Sequence, residues 1–181
     1  MTAQLKRIRE IALALRKFGA DAYLLYDFRQ SDPLAYRILD LSAPEIATRR
    51  WFCLVPARGA PMALVSAVEP HALDALGMRT IVYRSYAEMT AALRSMLSGL
   101  RTVAMNYSPM GAIPYVARVD AGTVEIVRSF GVEVTSAAEL IAKFEAELSS
   151  RAMASHLRAA RKLRTIVDET FDEIRARLGS R

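Results

Sequence analysis

The sequence predicts an α/β protein in which helices flank a mixed β-sheet and one long helix closes the chain. Three observations carry this. Short apolar runs alternate with amphipathic stretches at helical spacing through most of the chain. Two of those runs, 51–56 and 62–66, are separated only by Ala57-Arg58-Gly59-Ala60-Pro61, which predicts an antiparallel hairpin inside an otherwise strand–helix–strand order. From Met153 to Leu178 a single apolar stripe persists for about seven helical turns, long for one compact domain.

Leu5, Ile8, Ala12 and Leu15, joined by Ile11 and Phe18, form the apolar face of a first helix that Gly19 ends. Ala22-Tyr23-Leu24-Leu25-Tyr26 is too brief for a helix and suits a buried strand. Asp32 and Pro33 form a helix start: the aspartate caps free amides, and proline fits the first turn of a short helix over 34–39. After the hairpin come a helix near 70–76, a strand at 80–83, a helix at 86–97 and a strand at 102–106. Residues 108–111 have loop composition, and 113–119 fit no single period. A helix over 123–130 ended by Gly131, a strand at 132–134 and a helix over 137–148 complete the first unit. The expected division is 1–148 for the sheet domain and 149–181 for the long helix.

With 181 residues, 52% of them hydrophobic and 24% charged, the chain is large enough for one substantial core. No apolar run approaches the roughly 18 residues that cross a bilayer, and residues 1–10 lack the apolar segment of a secretory signal. A cytoplasmic protein with no membrane partner is the expectation. The net charge of +6 concentrates at the ends, with five Lys/Arg against one acid in residues 1–20 and eight against four in residues 151–181. Aromatic residues are not interleaved with these charges, so they read as solvated helix faces, and nucleic acid is disfavoured as a partner.

Catalytic chemistry finds little support. Phosphate-cradling glycine patterns, serine elbows and paired-cysteine zinc arrangements are all missing from the sequence. Cys53 sits alone in an apolar run and reads as core. His71 falls in the first turn of the helix expected at 70–76, where a solvated imidazole is the plain reading. His156 has Ala160 one turn on and no local ligand partner. Asp168-Glu169 and Asp172-Glu173, followed by Arg175 and Arg177, read as a salt-laced exposed face. The loop Asp27-Phe28-Arg29-Gln30-Ser31-Asp32-Pro33 stands out, because it leaves the carboxyl end of the first strand, where open α/β sheets place ligand contacts. A simple turn with an Arg/Asp pair is the plainer reading of the same loop.

Several phrases, taken in order, resemble the N-terminal domain of the creatinase, prolidase and aminopeptidase P metallopeptidases. They are Ala20-Asp21-Ala22-Tyr23-Leu24-Leu25, Pro33-Leu34-Ala35-Tyr36-Arg37-Ile38-Leu39, Thr48-Arg49-Arg50-Trp51-Phe52, Val103-Ala104-Met105-Asn106-Tyr107-Ser108-Pro109 and 131–140. His156-Leu157-Arg158-Ala159-Ala160-Arg161-Lys162-Leu163 resembles the helix that opens that family's catalytic domain. Two departures are visible: Ser149-Ser150 keeps the serine of a K-S-x-x-E approach without its Lys and Glu, and Asp32-Pro33 replaces Asn and an aliphatic residue.

The resemblance implies a ribonuclease H-like fold and a non-catalytic role in subunit assembly and active-site access. It implies a parent hydrolase acting on Xaa-Pro peptide bonds, with a divalent metal pair (Mn, Co or Zn) held by a pita-bread catalytic domain. All of that domain's ligands would lie beyond Arg181, so no catalytic residue, metal ligand or cofactor is assigned to this chain. Phe28 and Arg29 are the candidate substrate-access residues. A second copy or a catalytic domain is the expected partner, and proline-containing peptides are expected only through the parent protein. A free-standing interaction module derived from the same domain is the alternative.

Overall fold

The computed structural model describes residues 3–44 and 46–179. Six strands form one mixed sheet: β1 (Ala22–Asp27), β2 (Trp51–Pro56), β3 (Met62–Ser66), β4 (Arg79–Tyr83), β5 (Thr102–Met105) and β6 (Glu133–Ser136), in the order β4-β3-β2-β1-β5-β6. The expected hairpin is present, with Phe52 opposite Leu64 and Cys53 opposite Ala63. β1 also runs antiparallel to β2, placing Leu24 opposite Leu54, while the β3–β4, β1–β5 and β5–β6 pairs are parallel.

β1 is central and wholly buried, and its side chains alternate between two cores. Tyr23 and Leu25 point to the layer formed by α1 (Ala3–Phe18), α2 (Pro33–Ile38) and α5 (Ala138–Glu145), where Ile11, Leu15, Ile38 and Leu140 pack. Leu24 and Tyr26 face α3 (Tyr86–Met96) and α4 (Ala121–Arg128), against Met89, Leu93, Val124 and Val127. Burial on both faces explains why β1 and β2 read as unbroken apolar runs and not as alternating ones.

Local chemistry sets the helix ends. Gly19 has φ +86 and its amide bonds the Leu15 carbonyl at 2.9 Å, the left-handed cap expected for α1. Asp32 accepts the Ala35 amide at 3.1 Å, and Ser85 accepts the Glu88 amide at 3.1 Å while Glu88 accepts the Arg84 amide at 2.7 Å. Asp120 caps α4 through the Thr123 amide at 2.8 Å, so this helix starts at Ala121, two residues before the sequence-based expectation.

Two expectations are corrected. Residues 70–76 form turns with one 3₁₀ segment, Asp74–Leu76, because Leu73 before it supplies no side-chain cap and Gly77 turns left-handed at φ +59 directly after it. The helix expected over 137–148 ends at Glu145. The ambiguous 113–119 stretch is irregular apart from a 3₁₀ turn at Pro114–Val116.

The chain divides into two compact units, Met1–Glu145 and Ala146–Arg181. The second consists mainly of α6 (Ser150–Gly179), whose first turn is capped by Ser149 accepting the Ala152 amide at 3.2 Å. None of its described side chains is buried. No helix among the described residues is long and apolar enough to cross a membrane.

Candidate functional site at the carboxyl end of the first strand

β1 ends in a buried carboxylate, and the loop after it is built around that group. Asp27 is fully buried and accepts the amides of Gln30 at 3.0 Å and Asp32 at 2.9 Å, with the Ser31 hydroxyl at 3.5 Å. These bonds hold Arg29 and Gln30 in the left-handed region, at φ +58 and +60, which costs a non-glycine residue roughly 1–2 kcal/mol. A fourth bond comes from the Tyr36 hydroxyl at 2.8 Å, and the Trp51 indole N–H donates to that hydroxyl at 3.3 Å. The rings of Tyr36 and Trp51 meet edge to face, 5.6 Å between centroids.

Asp32, also fully buried, extends the network to β5. One oxygen caps α2 and the other accepts the Asn106 side-chain amide at 2.5 Å, while Asn106 in turn accepts the Tyr23 hydroxyl. Burial pushes the Asp32 carboxyl up to about 6, and the nearby charge of Asp27 adds to this; the bonds from Asn106 and Ala35 act in the opposite direction. Neither aspartate forms an ion pair with Arg29 among the described residues, so the Arg/Asp turn is replaced by a carboxylate-centred one.

Phe28 and Arg29 stand on this platform and are both exposed. The Arg50 guanidinium lies over the Phe28 ring, 5.5 Å from its centroid. Arg50 also carries a buried Nε without a hydrogen-bond partner and lends positive charge to Asp120. Burial acts to raise the Asp120 carboxyl, but bonds from Thr123 and Tyr26 and the charge of Arg50 outweigh it, leaving the group below the usual carboxylate value. The Tyr26 hydroxyl donates to Asp120 at 2.9 Å. Beyond Arg50 an open depression of mixed polarity is lined by Tyr86, Asp120, Gly122, Glu125 and Ile126.

The sequence reading named Phe28 and Arg29 and missed Arg50, Asn106, Asp120 and Tyr36. Only Asp120 had a local signal, an aspartate three residues before Thr123 at a helix start. Tyr36 reaches Asp27 from the helix just after the loop, whereas Asn106 meets Asp32 only through the pairing of distant segments.

The other candidates take no part in the bonds that hold this loop. Cys53 is buried and its thiol is pushed up to about 12 by burial. His71 is exposed with Nδ1 2.6 Å from Asp74, and His156 is exposed on α6. Asp172 and Glu173 pair along the helix with Arg175 at 2.5 Å and Arg177 at 2.7 Å, as an exposed salt-laced face should.

Among the described residues no group of three or more His, Cys, Asp or Glu is arranged to hold a metal ion. Asp27 accepts four donors, two on each oxygen, and each oxygen of Asp32 accepts one, so both carboxylates are engaged by amide, hydroxyl and side-chain amide donors within the loop platform. The surface formed by Phe28, Arg29 and Arg50 offers an aromatic face and guanidinium donors.

No protein-family model and no curated protein matches the sequence. Solved structures do match the fold. The prolidase from Pyrococcus horikoshii superposes with a TM-score of 0.55 at 14% identity, over 82% of this chain and 37% of that one. Dipeptidase PepE from Mycobacterium ulcerans gives 0.57 at 15%, over 82% and 38%. The isolated creatinase/prolidase N-terminal domain of a Streptococcus pyogenes X-Pro dipeptidase gives 0.55 at 15%, over 75% of this chain and 96% of that domain. The chain therefore spans well under half of the two longer enzymes and nearly all of the isolated domain.

Proposed function

We propose that this chain, which has the fold of the creatinase/prolidase N-terminal domain, is the non-catalytic N-terminal domain of a Xaa-Pro aminopeptidase- or prolidase-like metallopeptidase. Its work is subunit assembly and the shaping of access to an active site that other residues supply. The observation that carries this reading is the match to 96% of an isolated N-terminal domain, against 37% of a whole prolidase. In the parent protein, metal-dependent hydrolysis of Xaa-Pro bonds belongs to residues outside this chain, and Phe28 and Arg29 face that site from the domain or from a neighbouring subunit. The parent works in the cytoplasm.

The chain assayed with Mn²⁺ or Co²⁺ on an Xaa-Pro dipeptide is expected to show no turnover. Metal-dependent hydrolysis by the chain alone would overturn the non-catalytic assignment. The α6 stripe favours a second reading, a free-standing interaction module, because apolar residues such as Leu157, Phe171 and Ile174 are about half exposed, at 49%, 56% and 45%. The reading frame downstream of Arg181 separates the two: an encoded Asp/His/Glu metal domain supports the first, and an immediate stop supports the module.

A further inference from the structure

The apolar stripe of α6 has a stricter period than a surface helix requires. Met153, Leu157, Ala160, Arg164, Val167, Phe171, Ile174 and Leu178 are spaced alternately by four and three residues. That is a heptad seam, the pattern two helices use to pack along each other. The charges are as ordered as the seam. Residues 150–166 carry five Lys/Arg and no acid, whereas 167–179 carry four acids and two arginines.

Asp168, Asp172 and Glu173 have intrahelical partners, but Arg158, Arg161, Lys162 and Glu169 have no ion pair among the described residues. A basic half followed by an acidic half is complementary to itself when reversed.

We infer that α6 is a self-association surface whose partner is α6 of a second copy of this chain, packed antiparallel. This deepens the assembly role proposed above and rests on it. In the antiparallel register that sets Arg164 opposite Val167 of the second copy, Met153 meets Leu178, Leu157 meets Ile174, and the small Ala160 meets the large Phe171. Every seam position then has a seam position across from it, and the one bulky layer is matched by the one alanine. In the same register Arg161 flanks Asp168 of the second copy, both lying beside the seam one residue after Ala160 and Val167. A parallel pair instead stacks Arg164 on Arg164 inside the seam and sets the two basic halves side by side, so electrostatics select the antiparallel arrangement. Ile166 lies on the outer face and this pairing does not cover it.

The test is sedimentation equilibrium of the full 181-residue chain with circular dichroism as a check on helix content. The expected result is a reversible dimer. Arg161→Asp alone, or Asp168→Arg alone, raises the dissociation constant at least about tenfold, since the contact recurs twice per dimer and changes from attraction to repulsion. The combined R161D/D168R exchange, which keeps the composition, restores it to within about threefold, and Phe171→Asp abolishes the dimer. A dimer indifferent to these changes, or two single effects that the exchange does not rescue, overturns the α6 pairing and leaves the assembly role standing. A chain that stays monomeric at every concentration overturns both.

Discussion

Asp32→Asn isolates the energetic consequence of placing an ionisable group inside the loop platform. The wild-type carboxyl titrates near 6 in the folded protein and near its ordinary 3.8 when unfolded, so the native state holds the proton more tightly between those values. Stability from this group is therefore complete below about pH 4 and is lost as pH rises through about 6, amounting to roughly 3 kcal/mol by pH 8. Asparagine carries no charge at any of these values. It retains an oxygen for the Ala35 amide, and its NH₂ can face Asn106 once that side chain's amide is reversed to present oxygen.

The expected outcome is a variant close to wild type at pH 4 and more stable by about 2–3 kcal/mol at pH 8. Urea unfolding of both proteins at intervals from pH 4 to pH 8 measures it, and the difference between the two curves removes most other titrations. A difference that is flat across this range, or that falls with rising pH, would refute the argument that burial dominates Asp32.

Tyr36→Phe removes a bond to the Asp27 carboxylate and leaves the Trp51 indole N–H without its acceptor. A loss of about 2–3 kcal/mol in denaturant unfolding is expected, with the exposed Phe28–Arg29 turn loosening as judged by faster amide exchange at Gln30 and Asp32. Leu24→Ala opens a cavity in the fully buried middle of β1 and is expected to cost about 2–5 kcal/mol by the same measurement. Cys53, with no exposed surface and a thiol pushed up to about 12, is expected to ignore Ellman's reagent at pH 8 in the native protein and to react once urea unfolds it. Rapid labelling without urea would contradict its burial.

The strands β1, β2, β3 and β5 lie where their apolar runs predict because burial on both faces writes itself into consecutive residues. Gly19 and Asp32 mark helix ends for equally local reasons: one supplies a left-handed cap and the other reaches an amide three residues on. The stretch 70–76 misleads because its composition permits a helix while Leu73 offers no side-chain cap and Gly77 turns the chain directly after it.

The candidate site was legible only in part. The position of the loop after β1 drew attention to Phe28 and Arg29, yet the groups that hold the loop come from elsewhere. Asn106 is 74 residues from Asp32, and Tyr26 reaches Asp120 across 94.

By itself the sequence determined what neighbouring residues decide together: which stretches become strands or helices, where most of them stop, and that α6 presents one continuous apolar seam. Only the tertiary structure decided which distant groups meet. Strand order brought Asn106 on the β5 side to Asp32 after β1, and that meeting, by taking a carboxylate out of water, turned a loop aspartate into a buried acid with a raised pKa. Periodicity and caps depend on side chains a few bonds apart. Desolvation depends on everything that surrounds a group, which no local pattern encodes.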